Sequence, residues 1–138
     1  MTGRQASVLV SDDILISLQG KFTVIGVYTA DISIPEDGTT APQLAFLFVV
    51  ECGVDDRIES LTLEVKLPGN APEQQVIPIV KSSVLPGRTK LLYKLPFLII
   101  QPVLHPGRIE AKIIHEKGEI PVAGPWISLV QPAEKKTQ

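Results

Sequence analysis

Histidine, cysteine and aromatic residues are scarce in this chain, and each scarcity removes a class of chemistry. There are two histidines, so a serine–histidine–aspartate arrangement would have to use His105 or His115. No G-x-S-x-G nucleophile elbow accompanies them. Cys52 is alone, so no internal disulfide can form and nothing points to an oxidising compartment. Its neighbours Glu51, Asp55 and Asp56 are acidic, the opposite of the cationic setting that activates a thiolate. Aromatics are 5% of the chain. That excludes the aromatic-studded basic strand on which single-stranded nucleic acid stacks. It also means that Val, Ile and Leu must build the core.

Long apolar runs are missing too. The longest, "LAFLFVV" (44–50) and "FLII" (97–100), fall far short of the roughly 20 residues of a membrane-spanning helix. The N-terminal "MTGRQASVLVSDD" meets two acids after three apolar residues, which is too short for a signal-peptide core. A cytoplasmic protein is therefore expected. The net charge of -2 favours neither nucleic acid nor an anionic membrane. Residues 1–69 hold 4 basic and 10 acidic side chains, against 9 and 5 in residues 70–138, so acidic and basic strands are expected to pair across a sheet. The alternative is a basic face built from Lys81, Arg88, Lys90 and Lys94, which would bind a polyanion. No Walker loop, dinucleotide fingerprint, zinc spacing or EF-hand loop is present, and no cofactor is expected.

What is abundant is β-branched residues, with 12 Pro and 10 Gly to punctuate them. The 138 residues fit one domain (1–130) with a polar tail at 131–138. "FTVIGVYTADISI" (22–34) reads as a strand apolar on both faces, and "QLAFLFVVEC" (43–52) as a covered central strand. "SLTLEVKLPG" (60–69) alternates cleanly, apolar on one face and polar on the other. Pro78 puts "QQVIPIV" (74–80) at an edge. "KLLYKLPFLIIQPVL" (90–104) is extended, and "GVDDRIESL" (53–61) has room for one helical turn capped by Asp55 or Asp56. Pro-Gly pairs at 68–69, 86–87 and 106–107 have the chemistry of type II turns. These elements predict about seven to nine antiparallel strands in a sandwich or barrel.

The segment "LHPGRIEAKIIHEKGEIPVAGPW" (104–126) concentrates the candidate polar chemistry. With Lys117-Gly118 as a two-residue turn, His115 pairs with Ile120, Ile113 with Val122, Ala111 with Gly124 and Ile109 with Trp126. That face is apolar and includes the indole. Glu116 and Glu119 then oppose each other, which requires a wider loop or a nearby cation. His115, Glu116 and Glu119 are the candidate metal ligands, although His115 points away from the glutamates and a solvated turn is the plainer reading. Asp12 and Asp13 are acid–base candidates, read more simply as a turn or bulge in which the carboxylates accept backbone N–H bonds.

The opening "VLVSDDILISLQGKFTVIGVYTADISIP" (8–35) resembles the N-terminal signature of a family of small, uncharacterised bacterial proteins. The closing "PGRIEAKIIHEKGEIPVAG" (106–124) is similar to that family's final hairpin. The resemblance implies a single immunoglobulin-like antiparallel β-sandwich with no assigned activity, and carries no site residues across. The expectation is thus a non-enzymatic binding or assembly module. It would act through an apolar patch on a second copy or another protein, without membrane or nucleic acid. The alternative is an enzyme or ligand-binding cleft at the loop ends using Asp12, Asp13, His105 or His115. No residue is assigned as catalytic, cofactor-binding or metal-binding; Asp12, Asp13, His105, His115, Glu116 and Glu119 remain candidates only.

Overall fold

The computed structural model describes residues 3–81 and 83–130, and the tail expected at 131–138 lies outside them. Its eleven strands are β1 (Gln5–Ile16), β2 (Phe22–Val27), β3 (Ile32–Ile34), β4 (Thr39–Thr40), β5 (Gln43–Gly53), β6 (Leu61–Lys66), β7 (Glu73–Ile77), β8 (Lys90–Ile100), β9 (Val103–Leu104), β10 (Gly107–His115) and β11 (Gly118–Leu129). They form a four-stranded sheet in the order β2-β1-β5-β8 and a five-stranded sheet in the order β3-β11-β10-β6-β7, with β4-β9 as a separate ribbon. The protein is all-β, and its sheets are consistent with a β-sandwich. Eleven strands exceed the seven to nine expected, because two-residue strands such as β4 and β9 leave no periodic trace in a sequence. One pair also departs from the expected antiparallel pattern, since β3 runs parallel to β11.

The core is mostly Val, Ile and Leu, as the composition requires, but three phenylalanines, Phe46, Phe48 and Phe97, are buried in it as well. Phe46, Phe48 and Val50 of β5 meet Leu63, Val65, Ile109, Ile113 and Ile127 from the other sheet in one buried cluster. β5 lies between β1 and β8 and is buried along most of its length. β6 alternates buried and half-buried residues, with Leu61, Leu63 and Val65 inward. β7 is an edge strand, ending just before Pro78. The Pro68-Gly69 and Pro86-Gly87 turns close with Asn70 N–H to Leu67 O at 3.0 Å and Arg88 N–H to Leu85 O at 3.2 Å, with φ of 73° at Gly69. Gly107, by contrast, opens β10 rather than sitting within a turn.

Three sequence expectations need correction. The segment 22–34 is two strands, not one: β2 pairs with β1 in the first sheet and β3 with β11 in the second. Residues 53–61 form no helical turn; Asp56 N–H closes a turn onto Gly53 O, and the segment runs on to the buried Ile58. In the final hairpin the turn residues are Glu116 and Lys117, so His115 pairs with Gly118, Ile113 with Ile120 and Ala111 with Val122. This is a two-residue slip from the expected register. Because the side-chain period of a strand is two, the faces survive it.

Trp126 does not share the buried face. The register shifts between Arg108 and Glu110, so that Gly124 and Pro125 together oppose Ile109. This bulge reverses the orientation of the residues beyond it. Ile127 turns inward, and Trp126, opposite Arg108, is 53% exposed. Gly124 permits the bulge, because a Cβ there would lie 2.6 Å from the Ile109 carbonyl oxygen. Gly124→Ala is accordingly expected to cost about 1–3 kcal/mol, as overpacking against backbone does. A urea titration read by far-UV circular dichroism should show a lowered midpoint with an unchanged slope.

Candidate functional site

The sequence candidates fall into separate structural settings. Asp12 and Asp13 lie where β1 changes neighbours, pairing with β5 up to Ser11 and with β2 from Ser11 onward. Asp13 Oδ1 accepts from Ile14 N–H and from Gln43 Nε2, each at 2.8 Å. Asp12 Oδ1 accepts from the Tyr28 hydroxyl at 2.6 Å. Burial, reinforced by that hydrogen bond, pushes the Tyr28 phenol up to about 12. These carboxylates tie β1, β5 and the segment after β2 together. His105 Nδ1 lies 2.5 Å from Asp37 Oδ1, with the imidazole packed over Gly69.

His115 and Glu116 join a cluster that sequence reasoning missed, because its centre is Arg4. The Arg4 side chain is 0% exposed although it lies one residue before β1. Its Nη2 donates to Glu116 Oε2 at 2.7 Å, Asp56 Oδ1 at 3.2 Å and the Arg57 carbonyl at 3.0 Å. Its Nη1 donates to Glu116 Oε1 at 3.1 Å and to His115 Nδ1 at 2.7 Å. His115 Nδ1 also accepts from Lys117 N–H at 3.2 Å, so the ring is neutral with its proton on Nε2. Burial, and then the Arg4 charge, lower the His115 pKa. The Arg4 hydrogen bonds hold Glu116 down at about 2. Asp56 is lowered chiefly by its bond from Lys117 Nζ, at 2.5 Å.

Glu116 and Glu119 do not oppose each other. Glu119 stands opposite Ile114 and accepts from Lys112 Nζ at 3.2 Å. Lys112 also reaches Glu64 on the neighbouring strand at 3.4 Å. Lys90 pairs with Glu51 at 3.2 Å, so acidic and basic strands do meet across the sheets. Among the described residues, no group of three or more His, Cys, Asp or Glu side chains could hold a metal ion. The basic residues are divided. Lys81 and Arg88 line one cleft, Lys94 lines another, and Lys90 is taken up by Glu51. Cys52 is buried. No described helix is long and apolar enough to cross a membrane.

The larger chemical statement lies on the outer face of the four-stranded sheet. Cross-strand registers place Leu9, Leu47 and Pro96 in one row and Ala45 and Leu98 in the next. The β1–β2 hairpin turns Ile14, Phe22 and Val24 onto Ala45 and Leu47, forming a small second cluster. The rest is uncovered: Leu92 is 50% exposed, Leu98 46% and Ile100 64%. Between the hairpin and β8 lies an open cleft of about 800 Å³, with Phe22, Val24, Leu47 and Leu92 among its walls and Lys21 and Lys94 beside them. Neither this cleft nor the one holding Lys81 and Arg88 is lined by Asp12, Asp13, His105, His115, Glu116 or Glu119.

Site and fold together describe an all-β protein whose polar clusters link strands and whose outer sheet face is apolar. No family model matches the chain, and no curated protein matches it.

Proposed function

We propose that this chain is a non-enzymatic assembly module of immunoglobulin-like topology, acting in the cytoplasm through the outer face of its four-stranded sheet, and that a second copy of the chain covers that face. The observation carrying this reading is the exposed apolar strip of Leu92, Leu98 and Ile100 on β8 with Leu9 on β1, left uncovered beside Ala45 and Leu47, which the β1–β2 hairpin already buries. A sheet with one wet face should alternate to polar residues there. Lys94 stands on the same face between Leu92 and Pro96, so the uncharged stretch offered to a second copy is the Leu98–Ile100 end, which meets its own copy across a two-fold axis without like charges. Edge-to-edge growth along β8 is disfavoured, because that edge strand carries Pro96 without a donor and Lys94 nearby. Face-to-face stacking of the two outer faces remains. The immunoglobulin-like part of the reading draws on strand order, with β3 parallel to β11 and then β10, β6 and β7 continuing the same layer.

Light scattering coupled to size exclusion tests it from dilute to near-millimolar protein. The expected result is a dimer that Leu98→Lys converts to a monomer without lowering the unfolding midpoint, since Leu98 is half exposed in the single chain. A strict monomer throughout that range would sink the self-association reading. The enzyme alternative has less support, because its four residues are held in separate side-chain networks.

A further inference from the structure

A second cleft, of about 400 Å³, opens where the two layers present their far edges to each other. One wall is β8, an edge of the first sheet; the other is the segment 79–81 that continues from β7, an edge of the second. Its apolar wall is Ile79, Leu91 and Tyr93, which are part-buried and pack directly on the main core. Burial raises the Tyr93 phenol. Lys81 and Arg88 stand on its rim, with Arg57 and Glu59 lining the same opening. The charge balance leaves a positive mouth over a greasy gap. Arg88 lines the opening and donates Nε to the Lys90 carbonyl at 2.8 Å.

We infer that this cleft binds a small amphiphile, with its anionic head on Lys81 and Arg88 and a short apolar chain between the sheet edges. The volume falls in the range of small-molecule sites, and the mixture of apolar walls with a few convergent polar groups is their usual composition. A purely polyanionic ligand would find only a few cations here and no use for the apolar interior. A neutral lipid would leave the rim charges unanswered. The site is distinct from the outer face proposed for self-association, although Leu92 lies at the border of both clefts.

Isothermal titration calorimetry with octyl phosphate, kept below its micelle concentration, tests the assignment. Inorganic phosphate and octyl glucoside serve as the head-only and chain-only probes. The expected result is saturable binding of octyl phosphate that weakens with salt and is at least about tenfold tighter than either partial probe. Lys81→Gln combined with Arg88→Gln should weaken it by at least about tenfold, while Arg88→Lys, which keeps the charge, should retain most of it. Lys81→Glu, at an exposed position, provides the same test should the double variant fail to fold. Absence of saturable binding would overturn the assignment. So would equal binding of octyl glucoside, or affinity unchanged in the charge variants.

Discussion

Arg4→Ala is expected to lower the unfolding free energy by about 3 kcal/mol, close to the cost of removing one partner from a buried ion pair. The side chain is fully enclosed, and its loss removes the forked contact to Glu116, leaving that carboxylate with the Glu59 N–H, while Asp56 keeps Lys117. Arg4→Lys should rescue little, because an ammonium cannot make the forked contact with both Glu116 oxygens. The cluster should also make the protein acid-labile. Glu116 titrates at about 2 when folded, against an ordinary value of 4.5. Its contribution is therefore complete above pH 4.5 and is lost as pH falls toward 2. His115 acts in the same sense at higher pH. Its folded pKa lies below 6.5, so below that pH the unfolded chain takes the proton first and stability begins to fall. Urea midpoints measured across pH should decline from near neutrality downward, and Arg4→Ala should flatten that decline. An unaltered midpoint and an unaltered pH profile in the variant would mean that the cluster holds nothing together.

Phe97→Ala should cost about 4 kcal/mol, the middle of the range for core aromatics. Phe97 stands edge-on to both Phe46 and Phe48, with ring centroids 6.2 Å away in each case. Three of the chain's four phenylalanines thus form a single packed row beneath the four-stranded sheet. Removing the middle ring empties a volume that the rigid Val and Ile neighbours cannot fill. Phe97→Leu, which keeps much of that volume, should cost about 1–1.5 kcal/mol. Thermal unfolding by calorimetry separates the two substitutions; equal, small shifts for both would show that the site collapses around the loss.

Much of this fold is visible in the residues, for a clear reason. Where burial alternates or runs continuously, as in β6 and β5, the chain carries a period that physics requires. The losses come where tertiary geometry overrides local pattern. Residues 22–34 look like one strand because every position suits a sheet, yet the chain must cross between layers after Val27. Gly26 inside that run is the available warning, since a glycine within a strand often marks a bend. The bulge at Gly124-Pro125 reverses Trp126 without changing its sequence context. The hairpin slips by two because Gly118 has the chemistry of a turn residue but opens β11 instead. Arg4 is invisible for a different reason: a single arginine before the first strand has no period, and its partners come from residues 56, 57, 115 and 116. The charge conflict between Glu116 and Glu119 belongs to the expected register alone; in the observed one they do not face each other, and Arg4 and Lys112 pair with one glutamate each.

The division of strands between the sheets carries a consequence for the newborn chain. All four strands of the first sheet lie before residue 101, so that layer can close while the last hairpin is still unsynthesised. The second layer must wait, because its central strands are the last to emerge and β3 finds its partner only when Ile127–Leu129 arrives. Until then Phe46, Phe48 and Phe97 face solvent from a completed half. Docking of the last hairpin is thus the expected late step, a lid arriving on a finished floor, and a chain cut near residue 105 and released would display the most adhesive surface this protein shows.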